Sequence, residues 1–472
     1  MRARALVLAA LLLGPASAVA RPGDWSRFGY RADRRNAGPR RTGITAANVA
    51  TLRRQEVDIG GTADSSPVYL GHALVGGARH DVFFVTTSYG LTLAVDAASG
   101  TLLWRFTPEA YASWAGSAQI THASPVTDPG RRFVYAAAPD GRIHKLAVAD
   151  GSEVRDGGWP VAVTLDPTHE KIGPALNLAR GLVLTATGGY IGDAPPYQGH
   201  VAAIDAATGQ LVHVWNSLCS DRAGLLDPPS CPDTRSAIWA RAGVVVDPVS
   251  GNLLVATGNG RFDGSHAWGD SVLLLSPDAG RLLRNWTPTD QAELDRRDAD
   301  LGSTAPALVG HGLAVQGGKD GLLRVLQLAR LNGRTADAGP TTGGALQSIP
   351  TPGGQELFTA PAVWRNGGRT WVFVADGAAT AGYVLARGRL ARQWEVPAPG
   401  TSPVVAGGLL WVYDPGGALD VYEPMSGKTV TALPAGHGHW SSPIVTDRRV
   451  ALPEGDANQH RTSGILAIYR LP

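Results

Sequence analysis

Residues 83–106 read FFVTTSYGLTLAVDAASGTLLWRF. Three short apolar runs in this stretch are separated by turns that contain glycine, and the second turn also contains Asp96. Runs of apolar, aromatic and β-branched residues bounded by glycine and aspartate predict β-strands joined by tight turns. The stretch therefore predicts one small sheet of three or four strands.

This unit recurs along the chain, and each clear copy opens with a small residue, a proline and an apolar residue. The openings are Ser66-Pro67-Val68, Ser124-Pro125-Val126, Gly173-Pro174-Ala175, Ala305-Pro306-Ala307, Ala360-Pro361-Ala362, Ser402-Pro403-Val404 and Ser442-Pro443-Ile444, and the degenerate stretch 239–244 fills the one double-length gap. Repeated small sheets predict an all-β, eight-bladed β-propeller, with seven blades left open, because a ring of sheets buries the faces that one sheet alone exposes. Trp104 and Trp286 are expected to pack between neighbouring blades.

The first twenty residues have the three parts of a secretory signal peptide: Arg2 and Arg4, an apolar run over 5–13, and small residues that end at Ala20. We expect cleavage after Ala20 and a periplasmic or extracellular protein. Residues 21–60 are then an N-terminal extension packed over the outside of the propeller, and 61–472 form a single propeller domain. The last blade is expected to borrow a strand from the other end of the chain, with the apolar run 464–469 in that role.

The chain has a formal net charge of +2 and contains two cysteines. Removal of a leader with two arginines brings the charge near zero, which gives no electrostatic basis for nucleic-acid binding. No segment after the leader is apolar and long enough to span a membrane. In an oxidising compartment, Cys219 and Cys231 are expected to form a disulfide.

Several segments resemble the pyrroloquinoline quinone (PQQ) dehydrogenases, the family of quinoprotein alcohol and glucose dehydrogenases. The opening Asp24-Trp25, the segment 44–52 and the repeated Ala-x-Asp-x-x-x-Gly turns carry the general likeness. Such repeats also occur in propellers without catalytic activity, including outer-membrane assembly proteins. The repeats therefore imply the fold and not an activity.

Three more specific segments imply a site. Asn259, at the end of the run 252–259, resembles the family asparagine that binds calcium, and Arg297-Asp298-Ala299-Asp300 resembles the Trp-Asp-Tyr-Asp element of the family. The likeness implies that Asp298 is the catalytic base beside the metal and that Asp300 is an additional ligand of the kind seen in lanthanide-dependent members. Lys319, in Gly318-Lys319-Asp320-Gly321, matches the lysine that contacts a quinone carbonyl. Trp239 lies near the position of the tryptophan on which the quinone rests.

Other positions depart from the family. Gly188-Gly189-Tyr190 stands where the family has Gly-Gly-Glu, whose glutamate holds calcium, and Lys171 stands in place of a threonine. The adjacent cysteine pair that covers the quinone is missing. Calcium prefers six to eight oxygen ligands, so a neutral phenol in place of a carboxylate weakens the expected site.

Two functions therefore remain open. The first is a PQQ- and metal-dependent dehydrogenase that oxidises an alcohol or sugar and passes electrons to an external acceptor, with calcium or a lanthanide as the metal. The second is a propeller without catalytic activity that binds a protein, peptide or glycan. A hydrolase or lyase on the same scaffold is a third reading, because a fold does not fix its function.

Overall fold

The computed structural model describes residues 21–333 and 342–472, so the predicted signal peptide lies outside the described residues. Eight antiparallel sheets follow one another along the chain, which confirms the eight-bladed propeller. The strands of blades 1 to 4 are Val68–Val75, Ala78–Thr86, Thr92–Asp96 and Leu102–Phe106; Val126–Thr127, Phe133–Ala138, Arg142–Ala147 and Val161–Ala162; Asn177–Ala179, Leu182–Ala186, His200–Asp205 and Leu211–Asn216; Val245–Val246, Leu253–Ala256, Val272–Leu275 and Leu282–Trp286, with Asn332–Gly333 at its edge.

Blades 5 to 8 have the same order of strands. They are Ala307–Gly310, Leu313–Gln316, Leu322–Gln327 and Gln347–Pro350; Ala362–Asn366, Arg369–Ala375, Thr380–Ala386 and Arg389–Val396; Val404–Ala406, Leu409–Asp414, Ala418–Tyr422 and Thr429–Pro434; Ile444–Thr446, Arg449–Glu454 and Ile465–Arg470, with Arg53–Asp58 as the fourth strand. Outside the blades, Glu170–Lys171 pairs with Gly188–Gly189. The helices are short: α-helices Tyr111–Trp114 and Gln291–Arg296, and 3-10 helices Val49–Thr51, Pro228–Ser230, Leu301–Ser303, Leu328–Arg330 and Ala457–Gln459.

The ring closes in blade 8, where Arg53–Asp58 pairs antiparallel with Ile465–Arg470. The predicted borrowing of a strand is present, but the borrowed strand is the N-terminal one. The apolar run 464–469 instead supplies a regular strand of the blade. The predicted boundary of the N-terminal extension at residue 60 therefore lies too far along the chain, because strand 53–58 already belongs to the propeller.

The first strand of each blade lies nearest the ring axis, since the segments that open adjacent blades hydrogen-bond to one another. The Ser66 amide donates to Ser124 Oγ at 2.8 Å, and the Oγ atoms of Ser66 and Ser442 lie 2.8 Å apart. Residues 25–38 pair with these first strands, as at Trp25 with Tyr69 and Ala37 with Val405. The extension was expected to cover the outside of the ring; it lies on the inner strands because their edges offer unpaired backbone groups.

The repeated aspartate turns have a local cause. Asp96 Oδ1 accepts hydrogen bonds from the amides of Ala98 and Ser99 at 2.9 and 2.7 Å, and Asp205 Oδ1 accepts equivalent bonds from Ala207 and Thr208. An aspartate that bonds to the backbone two and three residues later fixes a tight turn. Each copy thereby joins the last two strands of its blade.

Two structural predictions concern side chains between and beside the blades. Trp104 of blade 1 is buried and donates from Nε1 to the carbonyl of Val148 in blade 2, and Trp286 is buried between blades 4 and 5. Cys219 and Cys231 form the expected disulfide, with their Cα atoms 6.2 Å apart. Within 21–333 and 342–472, no helix has the length and apolar character needed to cross a membrane.

Candidate functional site

A cavity of about 610 Å³ lies at the centre of the ring. Its walls come from the segments before the first strands of six different blades, so the cavity lies on the ring axis. The lining side chains include His122, Lys171, Trp239, Arg241, Asp298, Asp300, Phe358, His439 and Trp440, together with Lys319 from a turn of blade 5.

One side of the cavity carries two carboxylates that share one ammonium group. Lys319 Nζ lies 2.6 Å from Asp300 Oδ2 and 3.4 Å from Asp298 Oδ2. Asn259 joins both acids, because its amide N–H donates to Asp300 Oδ1 at 2.7 Å and its Nδ2 donates to Asp298 Oδ1. We call Asn259, Asp298, Asp300 and Lys319 the acid–lysine cluster.

The two acids of the cluster lie in different surroundings. The Asp298 side chain is 65% exposed and that of Asp300 is 8% exposed. Burial raises the pKa of Asp300, since the loss of water outweighs the attraction of Lys319. For Lys319, burial lowers the pKa, but the carboxylates of Asp300 and Asp298 outweigh it and the pKa is raised. The cluster thus combines a cation, Lys319, with a buried acid, Asp300, and a solvent-accessible acid, Asp298.

Glycine at position 258 allows this arrangement. A Cβ atom on Gly258 would lie 2.0 Å from Asp300 Oδ1, so any side chain there would displace the carboxylate. Asp298 adopts a left-handed backbone conformation with φ of +55°, which aspartate tolerates better than most residues. Behind the cluster, the buried Asp270 accepts a hydrogen bond from the Leu301 amide at 3.0 Å. The Thr-Gly-Asn turn and the 298–301 segment therefore hold each other in place.

Aromatic rings form the middle of the cavity. Phe358 and Trp440 stack with centroids 5.0 Å apart, and the Trp239 ring lies 5.9 Å from that of Trp440. Lys319 Nζ lies 5.6 Å from the centre of the Trp239 ring, within the range of a cation–π contact. The aromatic rings thus adjoin the acid–lysine cluster.

Buried basic side chains line another part of the wall. Arg241 pairs with the buried Asp64, with Nη2 2.8 Å from Oδ1, while its Nε has no hydrogen-bond partner. His122 is buried, and burial together with Lys171 and Arg241 holds its pKa well below the usual range, so its imidazole is neutral. His439 Nδ1 lies 2.7 Å from Asp64 Oδ2. This wall is more positive than the acid–lysine cluster.

Comparison with known proteins identifies relatives of two kinds. A family model described as outer membrane protein assembly factor BamB matches residues 41–221. Quinohemoprotein alcohol dehydrogenase ADH IIB of Pseudomonas putida is 26% identical over 325 residues, which cover 60% of this chain and 43% of the relative. The dehydrogenase subunit of alcohol dehydrogenase (quinone) of Gluconacetobacter polyoxogenes is 25% identical over 316 residues, which cover 57% of this chain and 39% of the relative. The alignments thus span about two fifths of the length of these curated relatives.

Solved structures with a similar fold include enzymes and an assembly factor. The quinohemoprotein alcohol dehydrogenase from Comamonas testosteroni superposes with a TM-score of 0.68 at 17% identity, over 97% of this chain and 81% of that chain. A europium-containing methanol dehydrogenase also gives 0.68, at 16% identity over 96% and 98% of the two chains. BamB from Moraxella catarrhalis gives 0.52 at 12% identity over 89% and 98%.

In fold, the chain is an eight-bladed β-propeller similar to the quinoprotein dehydrogenases. Four side chains that the sequence singled out line its cavity: Trp239, Asp298, Asp300 and Lys319. The fifth, Asn259, is hydrogen-bonded to both acids. The Tyr190 hydroxyl, where a glutamate was expected from the family, donates to the carbonyl of Pro167 at 2.8 Å. Tyr190 therefore has its hydrogen bond away from the acid–lysine cluster.

The donor atoms of the acid–lysine cluster fit a small cation. Asn259 Oδ1 is buried and has no hydrogen-bond partner among the described residues, although it lies beside two carboxylates. Amide and carboxylate oxygens are the ligands that calcium and similar hard cations prefer. A buried acceptor without a donor is unfavourable unless another group completes it. The aromatic wall and the buried basic groups equally fit a flat ligand that carries carboxylates.

The sequence interpretation did not assign His122, Arg241, Phe358 or Trp440 to the central cavity. A usable signal was present in the repeat. Asp64, His122, Lys171, Phe358 and Trp440 each stand three residues before a proline that opens a blade. Because equivalent positions of a propeller repeat face the axis together, the register of the proline identifies these lining or adjacent residues.

Proposed function

We propose that the central cavity binds PQQ together with a calcium or lanthanide ion and oxidises an alcohol or sugar. The protein acts in the periplasm or outside the cell and passes electrons to an external acceptor. The observation that carries the proposal is the convergence of Asn259, Asp298 and Lys319 beside Trp239, with the Asn259 oxygen left without a partner. A cation held by the two carboxylates would complete that oxygen.

Each residue has a separate task in this proposal. Asn259, Asp298 and Asp300 hold the metal ion through oxygen atoms, and Trp239 supports the flat face of the cofactor. The exposed carboxylate of Asp298 accepts the proton of the substrate hydroxyl, and Asn259 orients that carboxylate. Lys319 pairs with the two neighbouring carboxylates and donates toward a cofactor oxygen. When bound, PQQ supplies the hydride acceptor and the metal ion polarises the accepting carbonyl.

The test is a titration of the purified protein with PQQ, with calcium, with a lanthanide and with neither, followed by the absorbance of the quinone. Asp298→Ala and Asn259→Ala should weaken metal-dependent binding, whereas Asp221→Ala, at an exposed position outside the cavity, should not. Dye-linked oxidation of alcohols and sugars then tests turnover. Absence of PQQ binding with every metal would refute the proposal.

A second candidate is a propeller that binds a protein, peptide or glycan without catalysis. Two observations favour it: Tyr190 replaces a carboxylate and has its hydroxyl bonded elsewhere, and the matching family model describes an assembly factor. The PQQ titration separates the two candidates, because this alternative predicts no quinone binding with either metal.

A further inference from the structure

Lys171 is a buried lysine without a counter-ion. Its residue is 8% exposed and lines the central cavity, yet its Nζ makes no hydrogen bond or ion pair among the described residues. Nζ faces the Tyr190 ring, whose centroid is 5.7 Å away. Lysine is rarely buried unless it is paired, so this ammonium group requires an explanation.

The backbone holds Lys171 in this position. Glu170–Lys171 pairs with Gly188–Gly189 in a separate two-stranded sheet, with Lys171 opposite Gly188. Lys171 Cε and His122 Nδ1 lie 3.6 and 4.0 Å from the place where a Cβ on Gly173 would be. The lysine and the histidine therefore occupy the same small part of the cavity wall.

The surroundings favour the neutral amine of Lys171. Burial, and then the positive charge of Arg241, lower its pKa to about 8, although the carboxylates of Asp64 and Asp193 act in the opposite direction. His122 adds no compensating negative charge, since its imidazole is neutral. A desolvated lysine beside another cation is the setting in which an amine becomes nucleophilic near neutral pH.

The other three lysines have different surroundings. Lys145 donates to the carbonyl of Ala206 at 2.9 Å, Lys319 is paired with Asp300, and Lys428 is exposed. Lys171 alone among the four combines burial, access from the cavity and an unpaired Nζ. The chain thus contains its own controls for a lysine-specific reaction.

We propose that Lys171 is a reactive amine that forms a reversible imine with a small aldehyde in the central cavity. The Nζ lone pair attacks the carbonyl carbon, and the carbinolamine then loses its hydroxyl group with a proton as water. The net change is an amine and an aldehyde converted to an imine and water, without an oxidant or reductant. The aromatic rings of Trp239, Phe358 and Trp440 favour an apolar or aromatic aldehyde over a charged one. The proposal does not rest on PQQ binding, although oxidation of a primary alcohol in this cavity would generate such an aldehyde there.

The experiment uses the full chain without added PQQ or metal. Benzaldehyde and sodium cyanoborohydride are added for a short time at pH 7, and the modified lysines are located by peptide mass mapping. Lys171 should be alkylated at least about tenfold faster than Lys428, because a lower pKa leaves a larger fraction of neutral amine at pH 7. The rate at Lys171 should rise from pH 7 to pH 9, through its pKa.

Two further measurements make the result decisive. Lys171→Arg should remove the fast-labelled peptide while the labelling of Lys145, Lys319 and Lys428 remains as in the unaltered protein. Labelling in denaturant should abolish the preference, since it depends on the folded surroundings. Equal rates at Lys171 and Lys428 in the folded protein, or no label on Lys171, would overturn the proposal. Either result is independent of the PQQ titration.

Discussion

Lys319 Nζ lies 2.6 Å from the carboxylate of Asp300, and this is the more buried of the two ion pairs in the acid–lysine cluster. Both side chains are largely shielded from water. Burial costs each charged group hydration free energy, and the attraction between the two charges offsets that cost. The pair also positions the more exposed Asp298, to which the same ammonium group is bonded. The contribution of this ion pair to stability can be tested without any cofactor.

Lys319→Met should lower the free energy of unfolding by about 3 kcal/mol, because it leaves the Asp300 carboxylate buried without a counter-ion. Urea unfolding at pH 7 measures the change. The double variant Lys319→Met with Asp300→Asn should recover much of the loss, since it removes the uncompensated charge as well. Lys428→Met, at an exposed position, is the matched control and should be neutral. A double variant no more stable than the single one would contradict this account.

Gly258→Ala should destabilise the protein by about 1–3 kcal/mol, since its Cβ would lie 2.0 Å from Asp300 Oδ1. It should also weaken metal-dependent PQQ binding, because Asp300 has to move. Gly377→Ala provides the control, since nothing lies within 4 Å of its added Cβ and its φ is not positive. The two variants are compared by thermal unfolding and by quinone titration. Equal effects at both positions would argue against the close contact described here.

Stability should fall in acid through Asp64. Burial opposes ionisation of Asp64, but the charges of Arg241 and His439 outweigh it and hold its pKa well below the ordinary value. The unfolded chain, with an aspartate pKa of about 3.9, therefore binds this proton more tightly than the folded protein. The contribution is fully present above about pH 5 and is lost as the pH falls below about 4. Urea unfolding of the unaltered protein and of Asp64→Asn at pH 5 and pH 3 tests this; the variant should be less stable at pH 5 and lose less on acidification.

Closure of the ring depends on Val57, a buried residue in the strand that completes blade 8. Val57→Asp should cost about 3 kcal/mol or more, because it buries a carboxylate in an apolar core without a partner. The exposed Arg53→Asp substitution in the same strand should cost less than about 1 kcal/mol. Chemical unfolding of both variants provides the comparison. A small effect of Val57→Asp would show that blade 8 does not need its fourth strand.

Much of the fold could be predicted from the sequence because the same pattern of strands and turns recurs in most blades. Asp96 and Asp205 form equivalent turns, and the small-proline-apolar openings mark the inner strands. The position of strand 53–58 was missed because its neighbour, 465–470, is remote in sequence and no local pattern encodes that pairing.

The acid–lysine cluster could be located from short matches at Asn259, Asp298 and Lys319, and the structure brings these residues together. The basic wall was harder to predict, since Arg241 and His122 belong to different blades and their residue types alone indicate nothing. For His122 the usable signal is its position three residues before a blade-opening proline, whereas Arg241 lies in the degenerate opening 239–244, which lacks that proline. The sequence showed that Lys171 stands where the family has a threonine. That its ammonium group is buried and unpaired could be seen only in the structure.

The pairing of Arg53–Asp58 with Ile465–Arg470 also dictates an order of events during synthesis. Arg53–Asp58 is synthesised long before Ile465–Arg470, and blade 8 is incomplete until both strands are present. During synthesis the incomplete propeller therefore exposes strand edges with unpaired backbone groups, which can pair with other chains. When the protein is overproduced, we therefore expect its yield to be limited by how well chaperones shield the incomplete propeller, rather than by the stability of the completed ring.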